Sequence, residues 1–523
     1  MGRVHAAVKN IIFGQVGNLI TQILNFVLRT LFIRHLGDTL NGVNGLYTNV
    51  LSVLSMAELG IGTALNYSLY KPVAQKDIEK IKSYMQLYKR AYRVIGIAVA
   101  VIGTGCAPFL PYIVKASEGI PVRDLTLYYF IFLFNTVSTY FVSYKYSLIN
   151  AEQKNYIQTN IITITKMITV VLQMAVILLT GSFYAYLLTA AAVELIQKIF
   201  VSRYLDRRYP YLRDRDVKKL SPKETGEIVT KTRALVFHKV GDVARLQTDS
   251  MIITGFINAA VSSFVDNYNM VLNSVANVVN IIFNSVLSSF GNLFATESRQ
   301  KQYQIFRVYR FAACWIYGFS AMGFSLLLTP LIELWLGRER TLAFSVVLCI
   351  LIDYYFKGDR IVLSNFKTAA GVFEQDKYLA LIQGAVNLVV SILLVQRVGL
   401  IGVYVGTIVS GLIANVTKPV IIYRVILVKP VREYFADSVK YISALLITFV
   451  LLSGVKKYVM RSVTVFTFGA MFVVICLVFN GIFLALFGRT KEFEYLRDLV
   501  RGKLGGILRG RLSERKKRTK KPI

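Results

Sequence analysis

The sequence predicts an all-α polytopic membrane protein of about fourteen transmembrane helices, two parallel-repeat six-helix lobes plus two extra C-terminal helices. Three observations predict it. First, 55% of the 523 residues are hydrophobic and the mean hydropathy is +0.53. That much apolar surface in a chain of this length needs long spanning segments to hide it. Second, the net charge of +32 sits between the apolar runs rather than on one soluble face. A nucleic-acid binder would concentrate Lys and Arg on a folded surface, whereas membrane proteins place them in cytoplasmic loops. Third, two stretches of the chain resemble each other at an offset near 222 residues.

A span needs roughly 20 apolar residues. Fourteen windows qualify, at about 9–34, 44–69, 93–114, 124–149, 157–180, 182–203, 234–257, 264–295, 304–335, 342–366, 378–396, 399–423, 438–455 and 462–488. The asparagine-rich 264–295 window is the weakest of them. With the N-terminus inside, the alternate loops assigned to the cytoplasm carry 45 of the 61 Lys and Arg, and the outer loops carry 9. This asymmetry places both termini in the cytoplasm. The first run, Ile11 to Ile33, is too long for the core of a cleavable leader.

The repeat is carried by short matches in equivalent places. Glu152-Gln153-Lys154-Asn155-Tyr156 follows the fourth span, and Glu374-Gln375-Asp376-Lys377-Tyr378 follows the tenth. Val16-Gly17-Asn18 in the first span has its counterpart in Val240-Gly241-Asp242 in the seventh. Six spans return the chain to the same side, so the repeats are parallel. The expected division is an N-lobe over 1–206, a cytoplasmic linker over 207–233, a C-lobe over 234–425, helices thirteen and fourteen over 426–488, and a basic tail over 489–523. The tail alternates Phe493, Leu496, Val500, Leu504, Ile507 and Leu508 with basic residues and ends in RKKRTKKP. Such a segment is attracted to anionic membrane lipid; a solvated charged tail is the plainer alternative.

The chemistry lies inside the spans. Positions i, i+4, i+7 and i+11 share one helix face. Span one has Asn18, Gln22, Asn25 and Arg29 at this spacing, and span seven has His238, Asp242, Arg245 and Asp249. Span eight lines up Asp266, Asn269, Asn273, Asn277, Asn280 and Asn284, and span two offers Asn44, Ser55, Glu58 and Gly62. Span ten adds Asp353, Lys357, Arg360 and Ser364. An unpaired charge at mid-bilayer costs about 2.5–3.5 kcal/mol, so these faces must meet protein or water. Single Asn residues are commonly glue between helices, and Asp242 or Asp249 can pair with Arg245 one turn away. Repetition of the whole set in both halves favours a water-filled cavity. Its bases, Arg29, Arg245, Arg360 and Lys357, imply an anionic cargo, because guanidinium and ammonium groups bind phosphate through charge-assisted hydrogen bonds. Asn18, Gln22, Asn25, Asn273, Asn277 and Asn280 would line it. The other bases within spans, Lys166, Lys239 and Lys418, are near enough to span ends to snorkel.

Several function classes find no support. Cys106, Cys314, Cys349 and Cys476 lie in apolar runs without metal spacing, and His5, His35 and His238 are scattered, so neither a metal site nor a disulfide framework is expected. No Gly-x₄-Gly-Lys-Ser/Thr loop is present for nucleotide. A membrane polymerase or glycosyltransferase would need a substantial outer catalytic loop. The nearest approach, Glu118, Arg123 and Asp124, is explained by a solvated turn. A pure scaffold would not need charges at membrane depth.

The run from Asn10 to Gly37, the run from Gly42 to Pro72 and the segment Tyr144 to Tyr156 carry a resemblance. Its most specific part is Ala57-Glu58-Leu59-Gly60-Ile61-Gly62-Thr63-Ala64, followed by Tyr67 to Pro72. The chain resembles the polysaccharide-transporter branch of the multidrug/oligosaccharidyl-lipid/polysaccharide exporter superfamily, and is most similar to bacterial capsule and O-antigen repeat-unit flippases. The resemblance implies a multi-pass transporter, not an enzyme, in the bacterial cytoplasmic membrane. It also implies alternating access around a cavity lined by helices 1, 2, 7 and 8. Its cargo would be an undecaprenyl-pyrophosphate oligosaccharide for capsule or exopolysaccharide synthesis. Polysaccharide polymerase and assembly proteins are then expected partners, and no organic cofactor is expected. Glu58, Asp242 and Asp249 are candidates to bind a coupling H⁺ or Na⁺. Flipping of a lipid-linked peptidoglycan precursor is the alternative within the superfamily. A drug/cation antiporter fits less well, because the cavity carries excess base.

Overall fold

The structure is a computed structural model. It describes residues 2–55, 62, 68–113, 120–152, 154–214, 217–218, 220–222, 224–226, 228, 247–372, 374–376, 378–499 and 501. Every long regular element among them is a helix: α1 (Gly2–Leu54), α2 (Ile78–Cys106), α3 (Val122–Ala151), α4 (Asn155–Thr180), α5 (Phe183–Arg208), α6 (Ala259–Asn284), α7 (Leu287–Thr296), α8 (Arg299–Leu336), α9 (Phe344–Ala369), α10 (Leu379–Val398), α11 (Leu400–Ile421), α12 (Arg432–Val459) and α13 (Val465–Phe487). Eleven helices among the described residues are long and apolar enough to cross a membrane, so the chain is a polytopic all-α membrane protein. Three features connect that number with the fourteen expected spans. Helix α1 holds the first and the start of the second, broken at Gly37, whose φ of +86° is one a residue with a Cβ rarely adopts. Helix α9 is long enough but carries Asp353, Lys357, Asp359 and Arg360. Of the seventh window only its last turns, from 247, fall within the described residues.

Local sequence explains the helix ends. Asp77 accepts the Lys80 amide at 3.0 Å to start α2, and Ser182 and Ser298 start α5 and α8 in the same way. Thr464 and Thr467 form a reciprocal cap on α13. Gly399, at φ +63°, separates α10 from α11. Pro419 lacks the amide that would continue the regular ladder of α11, and the chain widens into a π-helix over Ile422–Leu427.

The chain divides into two compact units. The first is Met1–Asn267 with Tyr378–Ser410, and the second is Tyr268–Lys377 with Gly411–Ile523. In the first, Tyr47, Tyr88, Tyr129 and Leu148 are fully buried at the meeting of α1, α2 and α3. Leu28 and Phe32 of α1 pack against Val170, Ile177, Phe183 and Tyr186 of α4 and α5. In the second, Phe479, Phe483 and Phe487 of α13 form a ladder against Phe311 and Trp315 of α8 and Tyr441 of α12. The start of the tail joins this core: the Phe493 ring lies 5.7 Å from that of Trp315, and Glu492 pairs with Arg307 at 2.9 Å. Val500 and the stretch from 502 onward lie outside the described residues.

The second unit has a charged core. Arg310, 5% exposed, pairs with Asp359 at 3.2 Å, donates to the Tyr434 carbonyl at 2.9 Å and lies 3.5 Å over the Tyr434 ring. It also donates to Ser438, while the Tyr434 hydroxyl donates to Asp359. Removing one partner of such a buried pair strands the other. Arg310→Ala is therefore expected to destabilise the protein by about 3–5 kcal/mol, seen as a lower midpoint of thermal unfolding in detergent.

Candidate functional site

The first unit keeps the polar stripe of α1 intact. Thr21, Leu28 and Phe32 bury one side of that helix. On the other side Asn18 is exposed, and Gln22, Asn25 and Arg29 are half-buried. Asn18, Gln22 and Asn25 make no side-chain hydrogen bond with the described residues, so they do not act as interhelical glue here. Arg29 stands in the field of Asp266, Tyr186 and Asp38. The Asp266 carboxylate lies over α1, so that a Cβ at Gly45 would sit 2.6 Å from its Oδ2. Asn44 is half-buried and the Ser55 hydroxyl donates to the Leu51 carbonyl. Glu58, Asp242, Arg245 and His238 lie outside the described residues, as does the 57–64 signature apart from Gly62.

Asp249 has acquired partners that sequence reasoning did not name. Thr407 Oγ1 donates to its Oδ2 at 2.8 Å, and Asn387 Nδ2 donates to its Oδ1 at 3.3 Å. Behind them Ser391 Oγ donates to Asn387 Oδ1 at 2.8 Å and contacts the Val403 carbonyl at 3.1 Å. Asn387 and Ser391 are fully buried and Thr407 nearly so. Two glycines create the site. A Cβ at Gly406 would lie 2.1 Å from Ser391 Oγ, and one at Gly402 would lie 2.4 Å from the Leu394 carbonyl carbon. Small residues four apart let α10 and α11 approach backbone to backbone. One carboxylate, an amide oxygen, two hydroxyls and a carbonyl are thus gathered at membrane depth. These are hard oxygen donors, suited to a small hard cation or a proton. The signal in the sequence was Asn387-x₃-Ser391 and Val403-x₃-Thr407, each one helical turn apart within an apolar run.

In the second unit the span-ten stripe is largely spoken for. Asp353 pairs with Lys357 at 2.6 Å and with Arg360 at 3.0 Å. Arg360 also donates to Asn415 Oδ1 at 3.1 Å, with Gly411 beneath it: a Cβ there would lie 2.4 Å from its Nη1. Ser364 accepts from Lys418 at 2.7 Å. In this conformation Arg360 and Ser364 tie α9 to α11, and Lys357, its side chain 48% exposed, keeps its ammonium on Asp353. The asparagine ladder of α6 divides. Asn280 accepts from Tyr317, and Asn284 accepts from Asn365 at 3.0 Å. Asn273 and Asn277 are exposed and make no side-chain hydrogen bond with the described residues.

Comparison with known proteins agrees with this architecture. The profile of a family described as "Polysaccharide biosynthesis protein" matches residues 7–288. No curated protein matches the chain by sequence. Among solved structures it is similar to the lipid II flippase MurJ in its inward closed conformation, with a TM-score of 0.70 at 12% identity over 94% of this chain and 100% of that one. It is similar to an inward-facing multidrug resistance MATE family transporter, with a TM-score of 0.57 at 13% identity over 76% of this chain and 92% of that one. A mutant of the Vibrio cholerae MATE transporter VcmN gives 0.53 at 15% identity over 82% of this chain and 99% of that one. At these identities the likeness is one of fold.

Proposed function

The chain belongs to the polysaccharide biosynthesis protein family, in the polysaccharide-transporter branch of the multidrug/oligosaccharidyl-lipid/polysaccharide exporter superfamily, and from that premise we propose that it is a flippase for an undecaprenyl-pyrophosphate-linked oligosaccharide. The cargo would pass from the inner to the outer leaflet of the bacterial cytoplasmic membrane by alternating access and serve capsule or exopolysaccharide synthesis. The observation that carries this reading is the α1 face: Asn18, Gln22, Asn25 and Arg29 share one side of a membrane helix, Asn18 exposed and the other three half-buried. A polar face of that kind needs water or a polar ligand in the membrane. Sugars hydrogen-bond to amides and pyrophosphate to guanidinium, while the polyprenyl tail stays in lipid. Arg29 is the lead anion contact, with Lys357 next. Arg245 shares this assignment from its place in the sequence. Arg360 would have to leave Asp353 and Asn415 to join them.

The Asp249 cluster suggests how the cycle is driven. Its oxygen set suits Na⁺ or H⁺, and either would neutralise the carboxylate that Thr407 and Asn387 hold. An inside-negative potential also favours export of an anion, by about 2.3 kcal/mol per charge per 100 mV.

MurJ is named as a flippase of lipid II, so the alternative cargo is a lipid-linked peptidoglycan precursor. Complementation separates the two. The chain is expected to restore surface polysaccharide to a strain lacking its repeat-unit flippase and to fail in a strain lacking its lipid II flippase. The reverse pattern would replace the proposed cargo with the peptidoglycan precursor.

A further inference from the structure

The end of the second unit where α8 begins and α13 finishes lies on the side that the charge asymmetry assigns to the cytoplasm. Its acids are turned inward and paired. Arg307 meets Glu492 at 2.9 Å and Asp437 at 3.4 Å, and Lys440 reaches Asp437 at 3.2 Å. Tyr303 donates its hydroxyl to Glu433. The bases are left over. Arg299, Arg424, Arg432, Arg489 and Lys491 are exposed, and none of them meets a carboxylate among the described residues. Lys429 lays its ammonium 4.6 Å over the Tyr303 ring. Apolar side chains border these bases. Val425 and Val428 are exposed beside Arg424 and Lys429, and Leu484 and Leu486 are exposed on the last turn of α13, just before Arg489. Val428 holds a φ of +53°, in the left-handed region that a β-branched residue rarely adopts. The turn is closed by the Lys429 amide on the Tyr423 carbonyl at 2.9 Å. The chain after α13 folds back on this end. It is helical over 491–499, with Phe493 and Leu496 packed on the core, Glu492 on Arg307, and the Tyr495 ring 5.6 Å from Lys301 Nζ. That docked helix fixes the point from which the basic stretch leaves. Between Arg501 and Lys521 the stretch carries ten Lys and Arg against one acid, Glu514.

We propose that this end of the second unit is a docking surface for the headgroups of anionic phospholipid, and that the helix over 491–499 delivers the C-terminal basic stretch to the same leaflet. Guanidinium and ammonium groups bind phosphate through charge-assisted hydrogen bonds. Each base held near an anionic leaflet contributes on the order of a fivefold gain in binding. Bases alone would suit any polyanion. The exposed valines and leucines beside them select an amphiphile, whose phosphate meets the bases while its acyl chains cover the apolar side chains. A free phosphate or a nucleic acid would use only half of this surface. The docked helix also joins α8 to α12, because Arg307 holds Glu492 and Asp437 together. Lipid bound here therefore stabilises the folded arrangement of that end. The assignment does not depend on what the protein transports.

The test uses the full chain and measures no transport. Purified in detergent, the protein is expected to retain phosphatidylglycerol in preference to phosphatidylcholine, as read by native mass spectrometry. A variant combining Arg424→Gln, Lys429→Gln, Arg432→Gln and Lys491→Gln, eluting normally from a sizing column, should lower that retention at least about tenfold. Val428→Ser with Leu486→Ser, which leaves every base in place, should lower it several-fold. The basic stretch is read separately, by a fluorophore on Ser513→Cys in a background with Cys106, Cys314, Cys349 and Cys476 replaced. Its quenching by a lipid-borne quencher should be several-fold stronger in phosphatidylglycerol nanodiscs than in phosphatidylcholine ones. The difference should vanish at about 1 M salt, where the screening length falls to about 3 Å. Equal retention of the two lipids by the parent, or unchanged retention in the four-site variant, overturns the docking surface. Displacement of the bound lipid by an equal concentration of inorganic phosphate would mark a free-anion site and overturn the lipid assignment. Quenching indifferent to lipid charge overturns the part given to the basic stretch.

Discussion

Asp249→Asn is expected to abolish the dependence of transport on a Na⁺ or H⁺ gradient while leaving a folded protein. Asparagine keeps the shape of the side chain and can still meet Thr407 and Asn387, which now hold the carboxylate at 2.8 and 3.3 Å. What it removes is the charge, and no other carboxylate among the described residues bonds to Asn387, Ser391 or Thr407. Changes one shell away from a bound ion already cost about 10–100-fold in affinity. Loss of this charged ligand is expected to cost at least about 100-fold in the ion concentration giving half-maximal stimulation. Thr407→Val, which removes one hydroxyl, should weaken the ion response partially. A gradient response in Asp249→Asn equal to that of the parent would place coupling elsewhere, with Glu58 and Asp242 next to be tested.

Arg29→Ala is expected to reduce transport by about 10- to 100-fold. A hydrogen bond to a charged group contributes roughly 1.5–3 kcal/mol, and each 1.4 kcal/mol is about tenfold. The loss should appear as weaker binding of the lipid-linked cargo, because the side chain is assigned to its pyrophosphate. Arg29→Lys should recover part of it, since an ammonium supplies charge without the two-pronged geometry. Arg360→Ala should behave differently. It breaks a buried pair with Asp353, so the first casualty is expected to be stability, by about 3–5 kcal/mol. Transport lost by Arg360→Ala in a protein of normal thermal stability would instead return Arg360 to the anion site.

The sequence displayed the spans well, because length and hydropathy depend only on neighbours along the chain. The α1 stripe was legible as a shared face: Asn18 to Arg29 align by spacing alone, and in the structure Asn18 is exposed while Gln22, Asn25 and Arg29 are half-buried. What could not be read was pairing. Arg360 and Arg29 look alike in one dimension, yet Arg360 is saturated by Asp353 and Asn415 because Gly411 lets α11 come within reach. Likewise, Asp249 stood out as an intramembrane acid. Its partners lie 138 and 158 residues away and are assembled by the approach at Gly402 and Gly406. The break at Gly37 and the π-turn after Pro419 were invisible to a hydropathy window, which averages over the residues that cause them. The asparagines of α6 show the same limit: Asn280 and Asn284 serve as glue, Asn273 and Asn277 do not, and identical spacing cannot tell them apart.

The proposed activity is movement of a lipid-linked oligosaccharide across a bilayer. The most direct test is reconstitution into vesicles with an undecaprenyl-pyrophosphate oligosaccharide labelled on the sugar, followed by a membrane-impermeant enzyme or quencher that reports the accessible leaflet. Protein-dependent transfer between leaflets, reduced at least about tenfold by Arg29→Ala, is the predicted result. Transfer no faster than in protein-free vesicles, from protein shown to be folded and under an imposed ion gradient and membrane potential, would contradict it.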